Sequence, residues 1–222
     1  MNPSAICYLF GAGDHYGPPP ETTPEDFVIA VDGGLAYLAQ YRKTPDLLVG
    51  DLDSLTDSPP EGIPAVSLPQ EKADTDMAAA ICAGWERGYR RFHIYGGTGG
   101  RLDHTLANIQ CLADLARRGG QGHLFDRDTA ITAIADGGEI AFSEAATGTV
   151  SVFAHSDTAE GVREHGLKYP LENAALANTY PMGISNEFMG VPSRISVAQG
   201  VLVVVYNHAN HRQSSYFPPF QV

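Results

Sequence analysis

Four short apolar runs, at residues 6–10, 27–31, 47–49 and 92–95, each lead straight into a glycine or an aspartate. This pattern constrains the fold more than any other in the chain. Apolar runs without polar alternation fit strands buried on both faces, which are typically parallel and covered by helices. Helical segments stand between the runs. Residues 74–88 carry Met77, Ile81 and Trp85 at four-residue steps, an amphipathic helix with Asp74 as expected cap, Gly88 as its end and Trp85 in the core. Residues 103–118 repeat the device: Asp103 as cap, Leu106, Ile109 and Ala113 on one face, Arg117 and Arg118 in the last turn, then Gly119-Gly120. Residues 1–135 are therefore expected to form an α/β domain, a mostly parallel sheet with helices on both faces. Ligands of such domains gather beyond the carboxyl ends of the strands, where Asp32, Asp51 and the loop from Gly96 fall.

After Gly137-Gly138 the texture changes. Segments 139–142, 149–154, 194–197 and 201–206 are short, rich in β-formers and separated by turn residues, and no comparable helical stripe follows. Residues 136–222 are expected to form a smaller all-β domain, packed against a partner because of its size. The tail from 207 to 222 is expected to lie over the surface. Its His208 and His211 have no accompanying carboxylate or cysteine, which argues against a metal role.

Composition narrows the function classes. Three cysteines, Cys7, Cys82 and Cys111, show no paired spacing, so a disulfide framework is not expected and a reducing cytoplasm fits. Met1 is followed by no basic segment with a long apolar run, and no 18-residue apolar stretch follows, so neither a signal peptide nor a membrane span is expected. A formal net charge of -12 makes nucleic acid a poor partner.

The chemistry-bearing residues sit in loops. Gly50-Asp51-Leu52-Asp53-Ser54 and, further on, Asp74-Thr75-Asp76 are two acidic pairs. Like charges about 4 Å apart repel by about 1 kcal/mol in water and about 4 kcal/mol near a protein surface. Bringing them together therefore calls for a cation, and magnesium suits carboxylate and phosphate oxygens. Alternatively, Asp53 opens a turn and Asp74 caps a helix. Gly96-Gly97-Thr98-Gly99-Gly100-Arg101 follows a strand and runs into a helix, where backbone N–H groups and the helix dipole favour an anion and Arg101 offers a planar fork. A plain glycine turn is the other reading. The P-loop pattern is absent, and Gly11-Ala12-Gly13 lacks the third glycine of a dinucleotide fingerprint. Gly11 and Gly13 either line a nucleotide pocket or make a strand-end turn. Asp32-Gly33-Gly34 either meets a ribose through Asp32 or starts a helix.

In order and spacing, Asp32-Gly33-Gly34, Gly50-Asp51-Leu52-Asp53-Ser54, Asp74-Thr75-Asp76 and Gly99-Gly100-Arg101-Leu102-Asp103-His104 resemble the thiamine pyrophosphokinase family. The likeness continues through Gly166-Leu167-Lys168-Tyr169-Pro170-Leu171 and Gly183-Ile184-Ser185-Asn186-Glu187, so it spans nearly the whole chain. One departure is Ala73, where the family commonly carries an acidic residue, with Asp74 immediately after.

The resemblance implies an amino-terminal ATP domain, a carboxyl-terminal thiamine-binding sandwich and a homodimer. It implies that Asp51, Asp53 and Asp76 hold Mg2+, and that Gly11, Gly13, Asp32, Gly33, Ser54, Thr75, Gly97, Thr98 and Arg101 form the nucleotide set. Arg101 would contact phosphates, and Asp103 would stand beside the attacking hydroxyl or one layer behind it, unless it only caps the helix. Ser185 and Asn186 would read the aminopyrimidine, unless they form an ordinary turn. The implied reaction moves pyrophosphate from ATP to the hydroxyl of thiamine and releases AMP. Rivals are pyrophosphorylation of another hydroxymethyl heterocycle such as a pterin, a metal-dependent phosphohydrolase, and a non-catalytic ligand sensor.

Overall fold

The structure is a computed structural model and describes residues 2, 4–50, 62–67 and 74–217. Its elements run β1 (Cys7–Phe10), β2 (Phe27–Val31), α1 (Gly34–Gln40), β3 (Leu47–Gly50), β4 (Ala65–Ser67), α2 (Asp76–Glu86), β5 (Arg91–Tyr95), α3 (Leu102–Arg117) and β6 (Gln121–Phe125). They continue as β7 (Thr129–Ala135), β8 (Glu139–Phe142), β9 (Thr149–Ala154), β10 (Thr158–His165), β11 (Leu171–Ala177), β12 (Asn186–Glu187), β13 (Ser193–Ser196), β14 (Val201–Asn207), a 3-10 helix (His208–Gln213) and β15 (Ser214–Phe217). The chain divides into two units, residues 1–108 with 124–127, and residues 109–123 with 128–222. The division runs through α3 and β6.

In the first unit the strands are parallel, in the order β5-β1-β2-β3-β4. Successive side chains of a strand point to opposite faces, and helices cover both. Tyr8, Phe10, Ala30 and Leu48 pack with Leu38 of α1. On the other face α2 comes so close that a Cβ at Gly84 would lie 2.8 Å from Cys7 Sγ and from Phe92 Cε1. The four expected strands are all present, lengthened or shortened by a residue at most.

The helices correct the sequence reading in four places. The cap of α2 is Thr75, whose Oγ1 accepts from Ala78 N at 3.2 Å, and not Asp74. Asp74, Thr75 and Asp76 are all cap-forming types, and only the register of the helix decides among them. Trp85 is half-buried, lying beneath the Arg90 guanidinium at 3.8 Å, while Met77, Ala80, Ile81 and Gly84 make the buried face. In α3, Leu102 and Leu106 are exposed and the buried positions are Asn108, Leu112, Ala113, Leu115 and Ala116. Asp103 lies inside its first turn and is not its cap. Both long helices close as expected on glycine: Gly88 N–H bonds Trp85 O and Tyr89 N–H bonds Gly84 O, and Gly119 and Gly120 repeat this with Ala116 and Leu115.

The second unit is an antiparallel sandwich. One sheet runs β12-β9-β14-β7 and the other β11-β10-β13-β8-β15. Between them, the Phe142 ring meets Tyr206 at 5.1 Å and Phe188 at 4.9 Å. β7, just before the composition change at 136, pairs with β14 over seven residues. Residues 208–217 of the tail are built into the sandwich and do not merely lie over it: β15 pairs with β8 as the sheet's edge strand. His211 packs edge-on against His123 and its Nδ1 lies 3.3 Å from Tyr206 Oη, and buried Asn210 exchanges two hydrogen bonds with Thr147. Among the described residues, no helix is long and apolar enough to cross a membrane.

Candidate functional site

Parallel register puts the carboxyl ends of β1, β2, β3 and β5 on one edge of the first unit's sheet, so the loops carrying Gly11, Asp32, Gly50 and Gly96 leave it side by side. The loop after β1 continues to pair beyond its strand. Gly11 N–H bonds Tyr95 O at 2.8 Å, Gly13 N–H bonds Gly96 O at 2.8 Å, and Asp14 N–H bonds Thr98 O at 2.9 Å. A Cβ at Gly13 would sit 2.2 Å from Thr98 O, so the approach admits only glycine.

The loop from Gly96 to Arg101 is fixed from below by Asn108, whose buried amide donates to Gly97 O at 2.7 Å. Its Gly99 and Gly100 take positive φ, 78° and 63°. Thr98 is 4% exposed, and among the described residues its Oγ1 has no hydrogen-bond partner. A buried hydroxyl in that state marks a place where a polar group is to be supplied. Beside the loop, His15 Nε2 lies 2.9 Å from Gly11 O and the ring stacks on Tyr37 at 3.6 Å. Burial pushes His15 below its ordinary value and pushes the Tyr37 phenol up to about 12, with Tyr41 adding to the latter. Sequence reasoning missed His15, Tyr37 and Asn108, since none belongs to a spaced motif.

Asp32 holds a left-handed φ of 49° and bonds Val49 O through its own N–H. Its Oδ1 lies 2.2 Å from where a Cβ at Gly50 would be, so this carboxyl abuts the residue that leads into Asp51. Gly33 caps α1, and Asp76 opens α2. Asp51, Asp53 and Ser54 of the expected metal and nucleotide set lie outside the described residues, as does Ala73. Oxygen donors of this kind suit a hard divalent cation.

Arg101 and Asp103 pair with one another. Nε donates to Oδ1 at 3.1 Å and Nη2 to Oδ2 at 2.6 Å, both side chains being exposed. Each fixes the other's charge: hydrogen bonding to Arg101 holds the Asp103 carboxyl below its ordinary range, and Asp103 raises Arg101.

In the second unit, Ser185 and Asn186 divide. Ser185 is exposed, with φ 57° and its N–H donating to Ser151 Oγ at 3.0 Å. Asn186 is buried, and its amide is fully engaged. Nδ2 donates to Glu164 Oε2 at 2.7 Å and to Tyr169 O at 2.8 Å, while Oδ1 accepts from Tyr169 N and Glu187 N, both at 2.9 Å. Lys168 N–H also bonds Glu187 O, and Leu167 bridges Phe188. The segments 167–169 and 185–188 are thus joined by backbone pairing, by the Lys168–Glu187 ion pair at 2.7 Å and by the Asn186 amide. Exposed Tyr169, Met182, Ile184 and Met189 flank them.

Comparisons with known proteins agree across both units. The family described as "Thiamin pyrophosphokinase, catalytic domain" matches residues 21–121, and that described as "Thiamin pyrophosphokinase, vitamin B1 binding domain" matches residues 139–202. A thiamine pyrophosphokinase of Bacillus subtilis (strain 168) is 30% identical over 182 residues, which cover 80% of this chain and 85% of that protein. A thiamin pyrophosphokinase family protein from Enterococcus faecalis has a TM-score of 0.78 at 27% identity, covering 92% of this chain and 99% of its own. A thiamin pyrophosphokinase from Geobacillus thermodenitrificans gives 0.76 at 26% identity, covering 91% and 97%.

Proposed function

Because the chain belongs to the thiamine pyrophosphokinase family, we propose that it transfers the terminal pyrophosphoryl group of ATP to the hydroxyl of thiamine, giving thiamine diphosphate and AMP, with Mg2+ as cofactor. The observation that carries this reading is the row of loops at one edge of the parallel sheet, with the buried Thr98 hydroxyl, which has no hydrogen-bond partner among the described residues, beside the start of α3.

In the proposed reaction the hydroxyl oxygen of thiamine bonds to the β-phosphorus of ATP, and the bond from that phosphorus to the oxygen bridging it to the α-phosphorus breaks. AMP leaves with that oxygen, and the hydroxyl proton is released. Such transfers need in-line placement and charge stabilisation more than covalent help from side chains. Gly33, Gly97, Thr98 and Thr75 supply backbone and hydroxyl contacts to the nucleotide, Gly11 and Gly13 line its pocket while their N–H groups hold the loops after β1 and β5 together, and Asp32 and Ser54 complete the set. Arg101 grips the phosphates, which requires its fork to leave Asp103. Asp103, then unpaired, orients the attacking hydroxyl. Asp51, Asp53 and Asp76 would hold the magnesium ion, which when bound neutralises charge on the phosphate oxygens.

On the acceptor side, Ser185 contacts the aminopyrimidine directly. Asn186, whose amide is spent inside the protein, acts by holding the turn that presents Ser185. The amino-terminal unit is the ATP unit and the carboxyl-terminal one the thiamine unit. The working form is a cytoplasmic homodimer, its association supported by the exposed Tyr169, Met182, Ile184 and Met189.

The test is product analysis with ATP, Mg2+ and a panel of acceptors. AMP formed only with thiamine supports the proposal. AMP with a pterin alcohol instead, phosphate or pyrophosphate released without acceptor, or binding without turnover each points to one of the rivals.

A further inference from the structure

Glu164 has no exposed surface and belongs to no motif recognised in the sequence. It lies on β10 opposite Ile195, and its strand neighbours Ala159 and Val162 are also buried, so an apolar side chain would suit the position. Instead a carboxyl occupies it. One oxygen accepts from Asn186 Nδ2 at 2.7 Å. The other has no hydrogen-bond partner among the described residues, and a Cβ at Gly183 would lie 3.5 Å from it. A half-satisfied buried carboxyl is costly to keep, which asks what it provides.

The answer is in the orientation of the Asn186 amide. An asparagine amide has one donating and one accepting end, and its bonds to Tyr169 N–H and O, and to Glu187 N–H, are made in only one of its two flipped states. Glu164 accepts a hydrogen bond from the donating end and so adds a fourth bond that exists only in that state. We propose that Glu164 is a positioning residue for the acceptor substrate: it locks Asn186, and Asn186 holds segments 167–169 and 185–188 at the spacing in which Ser185 meets thiamine. The inference rests on the proposed thiamine role of the Ser185 turn.

The experiment compares Glu164→Leu, which removes the acceptor at similar volume, with Glu164→Gln, which retains one, and with Ser185→Ala. Michaelis constants for thiamine and for ATP are measured on the full chain. Loss of one hydrogen bond in the clamp should raise the thiamine KM of Glu164→Leu by about fivefold, with ATP KM and kcat changed by less than about twofold, and Glu164→Gln should restore most of the loss. A normal thiamine KM in Glu164→Leu, with a raised one in Ser185→Ala, overturns the positioning role alone. An unchanged KM in Ser185→Ala overturns the underlying reading of the turn. Should Glu164→Leu not fold, Glu164→Asp, which withdraws the carboxyl by one methylene, takes its place and must raise the thiamine KM by a similar factor with ATP KM unchanged. A normal thiamine KM in that variant contradicts the proposal.

Discussion

Arg101 and Asp103, two residues apart at the start of α3, hold each other through two hydrogen bonds of 3.1 and 2.6 Å, so the guanidinium fork that faces a phosphate in the proposed complex is occupied by a carboxylate without it. The pair is fully at the surface, where solvent screens it and its separation costs little. In the proposed complex the pair is exchangeable: phosphate takes the fork and Asp103 is released toward the acceptor.

Arg101→Lys keeps the charge and loses the fork. Its kcat/KM for ATP is expected to drop by about tenfold or more, in line with loss of a bidentate charged contact. Asp103→Asn should separate the two roles, lowering kcat while leaving ATP KM equal to or below that of the wild type. Steady-state kinetics on both variants checks this; a raised ATP KM with normal kcat in Asp103→Asn contradicts it.

Gly13→Ala tests the contact between the loops after β1 and β5. The added methyl would fall 2.2 Å from Thr98 O and 2.7 Å from Gly96 O, both backbone atoms that cannot rotate away. The loops must part, and ATP affinity should fall by about tenfold or more. Calorimetric titration with an ATP analogue measures this, and wild-type affinity would show that the spacing of these loops is irrelevant to the nucleotide.

Ser185→Ala removes a hydroxyl from an exposed turn and little else. The expected effect is a rise of about fivefold in thiamine KM, the value of one hydrogen bond, without change in ATP KM. Equal shifts for both substrates would point to a general disturbance.

Glu164 gives stability a pH dependence of definite sign. Burial raises its carboxyl above the ordinary 4.5, with the Asn186 bond opposing part of the rise. The folded state thus holds this proton more firmly than the unfolded one. The contribution is complete below the unfolded value and is lost as pH rises through the folded value. Urea unfolding from pH 4.5 upward should show the wild type losing stability relative to Glu164→Gln. Parallel curves would mean that the carboxyl is not raised.

The parallel strands were legible because apolar runs without alternation have few alternatives, and the glycine ends of α2 and α3 because a left-handed residue is needed there. The start of α2 was not, since Asp74, Thr75 and Asp76 all cap well and tertiary register chose Thr75. The face of α3 was misjudged by trusting Leu106 over Asn108: a leucine can remain exposed, whereas the buried amide is justified only by Gly97 O, which no sequence pattern displays. β10 and β11 escaped notice because their polar and charged residues interrupt the apolar pattern. Among the described residues, Gly11, Asp32, Gly50 and Gly96 do lie at the mouths of neighbouring loops, as strand-end placement implies. Asn186 stands out in the sequence through its motif, but the partners that engage its amide do not, since they come from β10 and from Tyr169, distant in the chain.

In the proposed complex Asp51, Asp53 and Asp76 converge on a divalent ion that holds the triphosphate. Turnover of Asp53→Asn and Asp76→Asn as a function of Mg2+ concentration, with thermal unfolding as a control for the fold, decides whether they do. Both variants are expected to retain the fold, lose about tenfold or more in kcat, and need more Mg2+ for half-maximal rate. Near-normal turnover with an unchanged Mg2+ midpoint in both would contradict the account.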